Sequence, residues 1–190
     1  MSQKTNTIEN CYISIDIEED DQLKKIYQSL SQVLNRLGVA HEISPRPHVS
    51  IAYTLGVSNK VFFENILSEM SKKPLSFKAI GVVFISGENT DKDYIGLRLD
   101  QSGDFSFAKN YIADKCPIKL FKEGFISHIS LFQVPKGFLA KDDFYLITRY
   151  LESAFSNLVL ISHQINASSI SAFNKAREKQ LEFKIQKLQS

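Results

Sequence analysis

Tryptophan is absent from the 190 residues, and cysteine, methionine and proline are scarce, at two, two and five copies. Cys11 and Cys116 stand alone, with no CxxC spacing, so neither a disulfide framework nor a zinc site is indicated, and buried thiols are favoured over a bridge between them. No apolar run approaches the length a helix needs to cross a bilayer, and no low-complexity stretch or linker divides the chain. The first ten residues are polar and lack the apolar centre of a signal peptide, which points to an intracellular protein. Charge of one sign is also missing. A formal net charge of +2 is far from the excess of a protein that coats long nucleic acid, yet it permits a local site for a few phosphates. What is present, 43% apolar and 23% charged, is ordinary for a folded domain.

The hydrophobic pattern predicts alternating strands and helices. Cys11–Ile17 alternates apolar and polar residues as a half-buried strand does. Asp20 and Asp21 offer a helix N-cap, and Leu23, Ile26, Tyr27, Leu30, Val33, Leu34 and Leu37 form a helical stripe that Gly38 ends. Pro45 and Pro47 impose an extended approach to a strand at His48–Tyr53. Ser58 is expected to open a second helix carrying Val61, Phe62, Ile66, Leu67 and Met70. Strands are expected at Leu75–Ile85 and Tyr94–Leu99 around a loop at Ser86–Asp93, then a helix over Phe105–Lys115 and a strand within Phe125–Val134. A fourth helix over Asp142–Ser156 turns Phe144, Ile147, Leu151 and Phe155 inward. Val159–Gln164 reads as a strand, and Ile170–Phe173 with Leu181–Ile185 as a closing hairpin. Such mixing of strand pairs with helices indicates an α+β domain.

Two of the four histidines open matching segments, His48-Val49-Ser50-Ile51-Ala52 and His128-Ile129-Ser130-Leu131-Phe132. On a strand, positions i and i+2 share a face, so each segment presents an imidazole beside a hydroxyl and turns Val49 or Ile129 to the opposite side. A single His-x-Ser carries almost no information, because serine is common here and a strand histidine is more often structural. The duplicate, each copy inside an apolar strand in corresponding halves of the chain, reverses that balance. Breaking a phosphodiester by attack of a neighbouring hydroxyl requires a base for the nucleophile and an acid for the leaving oxygen, and imidazoles serve both near neutral pH. The hydroxyls can donate to the non-bridging oxygens, where charge develops. No metal and no cofactor is called for, and the serine hydroxyls make a poor zinc set.

These residues resemble the 2H phosphoesterase superfamily, which is named for two His-x-Ser/Thr motifs, and within it the U6 snRNA phosphodiesterase (Usb1, or Mpn1) family. The likeness is carried by PHVSIAY, by SHISLF and by the segment FISGENTDKDYIGLRL, Phe84–Leu99, with a fainter match in FNKAREKQLEFKI. It implies a single domain over residues 1–190, with a bilobal fold of two pseudo-symmetric antiparallel sheets and outer helices around a central groove. It implies a 3′→5′ exoribonuclease that trims the oligouridine end of U6 snRNA in the nucleus, leaving a 2′,3′-cyclic phosphate or a 3′-phosphate. Carried over, His48, Ser50, His128 and Ser130 form the catalytic set, with His128 assigned as base and His48 as acid. The partner implied is an RNA 3′ end, with no membrane involved and the protein a monomer.

The family often places a stacking Tyr shortly before the second motif. Here Phe121 and Phe125 are the aromatics in that region, and either could stack a base or simply fill the core. Tyr53 could line the groove. Lys92, Arg98, Lys119, Lys122, Lys175 and Arg177 are candidate phosphate contacts. His41 and His163, lacking a Ser two residues on, are assigned structural or exposed roles, and Glu18–Asp21 a strand exit with a helix start. Two further readings compete: a 2′,3′-cyclic nucleotide phosphodiesterase or 2′–5′ RNA ligase-like enzyme, and a non-catalytic RNA-binding module.

Overall fold

The structure is a computed structural model that describes residues 7–9, 11–53, 57–87, 90–116, 126–138, 144–158, 164–174 and 176–187. Its elements in chain order are β1 (Thr7–Glu9), β2 (Tyr12–Ile17), α1 (Asp21–Arg36), β3 (Glu42–Ile43), β4 (His48–Tyr53), β5 (Val57–Asn59), α2 (Lys60–Ser71), β6 (Ser76–Ser86), β7 (Lys92–Leu99), α3 (Gly103–Lys115), β8 (His128–Pro135), α4 (Phe144–Leu158), β9 (Gln164–Phe173) and β10 (Lys179–Lys184).

Local chemistry accounts for the first helix. The Asp20 carboxylate accepts a hydrogen bond from the Leu23 amide at 2.8 Å, and the chain leaves the helix through Gly38, whose φ of 67° suits a residue without Cβ. Leu23, Ile26, Tyr27, Leu30 and Leu34 are all buried, each contributing about 1.5–3 kcal/mol before the cost of ordering it. The second helix departs from expectation. Its N-cap is Asn59, whose Oδ1 accepts from the Val61 amide at 2.9 Å, because Val57–Asn59 is drawn into a strand paired with β1. Its buried residues are Phe63, Ile66, Leu67, Met70 and Ser71, and Val61 and Phe62 are exposed. β9 begins at Gln164, earlier than its predicted start, while the strand expected at Val159–Gln164 lies almost wholly outside the described residues.

Among the described residues every strand pairing is antiparallel. Strands β10, β9, β2 and β4 lie side by side in that order, and β6, β7 and β8 do the same, with β3 added to β8. The two halves join where Val49 pairs with Ile129 and again where Ser76–Lys78 meets Gln164–Asn166. The hairpin that follows the first His-x-Ser strand, β6–β7, flanks the second one. The hairpin that follows the second, β9–β10, completes the sheet of the first. Each half therefore depends on chain from the other, and Ile13, Ile15, Val49, Ile51, Leu97, Ile129 and Leu131 belong to one continuous buried cluster. Among the described residues no helix is long and apolar enough to cross a membrane.

Candidate active site

The single Val49–Ile129 pairing fixes the geometry of both motifs. Val49 and Ile129 are fully buried on one face, so His48, Ser50, His128 and Ser130, all half-buried, turn to the other. In an antiparallel register centred on that pair, His48 stands across from Ser130 and His128 across from Ser50. The two imidazoles thus rise from the same face of neighbouring strands, and the charge of His128 is felt at His48.

The two histidines are held alike. The Nδ1–H of His48 donates to the Arg46 carbonyl at 2.9 Å, and that of His128 to the Ile126 carbonyl at 2.7 Å, each two residues upstream. This fixes the tautomer and makes Nε2 the titrating nitrogen of both rings. Burial pushes both imidazoles below their ordinary value of 6.5. Around His48 the Arg46 guanidinium adds to that lowering, and Asp16 opposes it.

A repeated irregularity shapes the rest of the site. Between Ile13 and Ser14 the β2 partner jumps from Ala52 to Ser50, making Ile51 an extra residue on β4. Between Ile95 and Gly96 the β7 partner jumps from Phe132 to Ser130, making Leu131 an extra residue on β8. Each motif thus runs into a β-bulge directly after its serine, with two consecutive buried residues in place of one. The bulges return Tyr53 and Gln133 to the face of the histidines. Their cross-strand partners, Tyr12 and Tyr94, share it. Gly96 makes the second bulge possible, since a Cβ there would lie 2.3 Å from the Ile129 carbonyl oxygen.

Tyr12 was not legible from the motifs, because its partner is 38 residues away. Its hydroxyl lies 2.8 Å from the Ser50 Oγ, and its ring meets His48 edge-on at 5.9 Å, Tyr53 at 4.9 Å and Phe173 at 5.8 Å. Burial raises its pKa, so it remains a neutral phenol able to hold Ser50. Arg46 forms an ion pair with Asp16, donates to the Ser14 Oγ at 3.1 Å and covers the Phe173 ring at 4.3 Å. The residue whose carbonyl orients His48 is therefore itself anchored at three points.

The other sequence candidates separate plainly. Tyr53 reaches the site, 48% exposed. Arg98 stands across from His128 on β7 and is exposed, while Lys92 is engaged with Glu42 at 3.3 Å. Phe121, Phe125, Lys119, Lys122, Lys175 and His163 lie outside the described residues. His41 is a brace: its Nε2 accepts from the Ser31 hydroxyl at 2.8 Å, its Nδ1 donates to the Val39 carbonyl at 2.9 Å, and its ring meets Phe132 edge-on. Cys11 and Cys116 are buried thiols. Among the described residues no group of three or more His, Cys, Asp or Glu side chains is disposed to hold a metal ion.

No protein-family model matches the chain, and no curated protein matches it in sequence. Solved structures do resemble it. Usb1 of Kluyveromyces marxianus with uridine monophosphate aligns at a TM-score of 0.62 and 12% identity, over 95% of this chain and 98% of that one. A second structure of K. marxianus Usb1 gives 0.60 and 12% identity over the same shares. The protein TT0787 of Thermus thermophilus gives 0.50 and 10% identity, over 94% of this chain and 98% of that one. At these identities the likeness is one of fold. The chain has the α+β 2H phosphoesterase fold, in the form seen in Usb1.

Proposed function

We propose that the protein is a phosphodiesterase acting on RNA 3′ ends, a 3′→5′ exoribonuclease that trims oligouridine by metal-independent acid–base catalysis. The observation that carries this reading is the convergence of the two His-x-Ser pairs about Val49 and Ile129, with both rings in one tautomer and Nε2 as the reacting nitrogen. The ribose 2′-hydroxyl adjoining the terminal phosphodiester attacks phosphorus while one Nε2 takes its proton. The P–O5′ bond breaks, and the other Nε2–H protonates the departing 5′-oxygen. The products are a free nucleoside and an RNA ending in a 2′,3′-cyclic phosphate. Ser50 and Ser130 donate to the non-bridging oxygens, and the phosphate charge favours the protonated acid against the effect of burial.

The assignment of His128 as base and His48 as acid is the one the family resemblance implies; burial favours the neutral form of both rings alike, and around His48 the charges of Arg46 and Asp16 oppose each other. K. marxianus Usb1, solved with uridine monophosphate, supports a uridine nucleotide as the ligand class. U6 snRNA as the target, a nuclear location, a monomeric state and a single domain over residues 1–190 belong to the same reading.

The test is incubation with a 3′-hydroxyl oligouridine in excess EDTA, followed by end-group analysis. Stepwise shortening to a cyclic phosphate end is expected. No shortening, or complete inhibition by the chelator, would overturn the proposal.

A further inference from the structure

Beyond the histidine pair, the same face of the sheet carries a row of residues in cross-strand register: Tyr53 on β4, Tyr12 on β2, Phe173 on β9 and Lys179 on β10. The rings touch in sequence, Tyr53 to Tyr12 at 4.9 Å and Tyr12 to Phe173 at 5.8 Å, and the Lys179 ammonium sits 6.0 Å from the Phe173 centroid. The row starts against His48, which Tyr12 meets edge-on.

Its far end is closed by an unusual turn. Between β9 and β10 the chain folds back through Asn174, whose amide donates to the Glu178 carbonyl at 3.0 Å and whose Oδ1 accepts from the Glu178 amide at 2.9 Å. The Asn174 carbonyl accepts from the Arg177 amide at 2.9 Å. At this turn Arg177 has a φ of 62°, and it is the only non-glycine residue with positive φ among those described. The left-handed region costs an ordinary side chain about 1 kcal/mol or more, and glycine or asparagine would meet it at less cost. A strained arginine at a turn that glycine or asparagine would suit better points to a use for its side chain. The residue is exposed and its charge is felt at Tyr12.

We propose that this row is a subsite for single-stranded RNA on the 5′ side of the scissile phosphate. A nucleobase upstream of the nucleotide that carries the attacking 2′-hydroxyl stacks on Tyr53, and a backbone phosphate upstream of the cleaved bond meets Arg177; Lys179 beside it is paired with Glu182 at 3.0 Å. The deduction rests on the phosphodiesterase reading and adds a length requirement to it. Tyr53 is the ring of the row that is exposed, while Phe173 beneath Arg46 is buried and backs it; stacking on one exposed ring beside a cation is tolerant of base identity. The substrate class is an RNA oligonucleotide of three or more nucleotides, with a dinucleotide or a cyclic mononucleotide using only the histidine pair. The departing nucleoside is 3′-terminal and carries no further phosphate, so a second phosphate held by these cations lies on the 5′ side of the cleaved bond.

The experiment compares wild type, Tyr53→Ala and Arg177→Gly on a five-residue oligouridine and on the dinucleotide UpU. Arg177→Gly suits the left-handed turn and keeps the hairpin. The ratio of kcat/KM on the pentamer to that on UpU is expected to fall roughly ten-fold in each variant. For Arg177→Gly the log–log salt slope of pentamer binding drops by about 0.7. Binding is also measured with a pentamer carrying a 2′-O-methyl group at the cleavage position, which separates the two proposals. If wild type binds this RNA more tightly than the variants yet cleaves nothing, the subsite stands and the phosphodiesterase reading falls. If the length ratio and the salt slope match wild type in both variants, the subsite is refuted.

Discussion

Adding one methyl group at Gly96 tests how tightly the site is built. Strand β7 passes β8 so closely there that a Cβ on Gly96 would stand 2.3 Å from the Ile129 carbonyl oxygen and 3.3 Å from the Ser130 Cα. Both obstacles are backbone, so no rotamer change relieves them. To reach even 3.0 Å the strands must part by roughly 0.7 Å. That displacement falls on the bulge that aims His128 and Ser130. Overpacking of this kind costs about 2 kcal/mol, which for a chain of this size lowers Tm by about 4–8 °C. Catalytic groups displaced by most of an ångström lose about ten-fold or more in kcat. Thermal melting and turnover of oligouridine are measured for Gly96→Ala beside Gly81→Ala, a control whose Cβ would meet nothing within 4 Å. Equal melting temperatures and equal turnover in the two variants would refute the close approach of β7 to β8 as a determinant of the site.

Other outcomes follow from the same geometry. Tyr12→Phe removes the hydroxyl that holds Ser50 and keeps the ring contacts, so kcat is expected to fall about ten-fold with little change in Tm, checked by steady-state kinetics beside a melt. Because burial lowers both active-site imidazoles, the unfolded chain holds more protons than the folded one just below pH 6.5. Their contribution to stability is complete above that pH and is lost as pH falls through the folded values. Urea midpoints between pH 7.5 and pH 5 should therefore fall less steeply for a His48→Gln, His128→Gln double variant, and an unchanged slope would count against the buried rings. Arg177→Gly is expected to melt no lower than wild type, since the glycine relieves the turn; a lower Tm would show that the arginine stabilises the hairpin.

How much was legible in the sequence differs from element to element. Helix α1 could be read almost residue by residue, because its cap, stripe and glycine stop are local. The start of the second helix was misread because the pairing of β5 with β1 joins segments some fifty residues apart, and its face was misread because Phe62 and Phe63 are adjacent and equally apolar, so the sequence does not say which turns inward. The His-x-Ser alternation placed all four side chains on one face correctly, since period two is enforced by the pleat. The bulges at Ile51 and Leu131 had a visible trace, two apolar residues in succession after each serine, which a strict alternation rule passes over. The exchange of hairpins between halves, and with it the positions of Tyr12, Asp16 and Phe173 beside the first motif, depends on register between distant strands. That information does not reside in any one segment.

The central claim is that His48 and His128 act together on one bond. The most direct measurement is the rate of oligouridine cleavage for His48→Ala, His128→Ala and the double variant, each shown to bind RNA. Each single variant should lose at least about 10²-fold, and the double should be little worse than either, as expected of groups serving one transition state. Losses that multiply in the double variant, or either single variant turning over near the wild-type rate, would contradict the account.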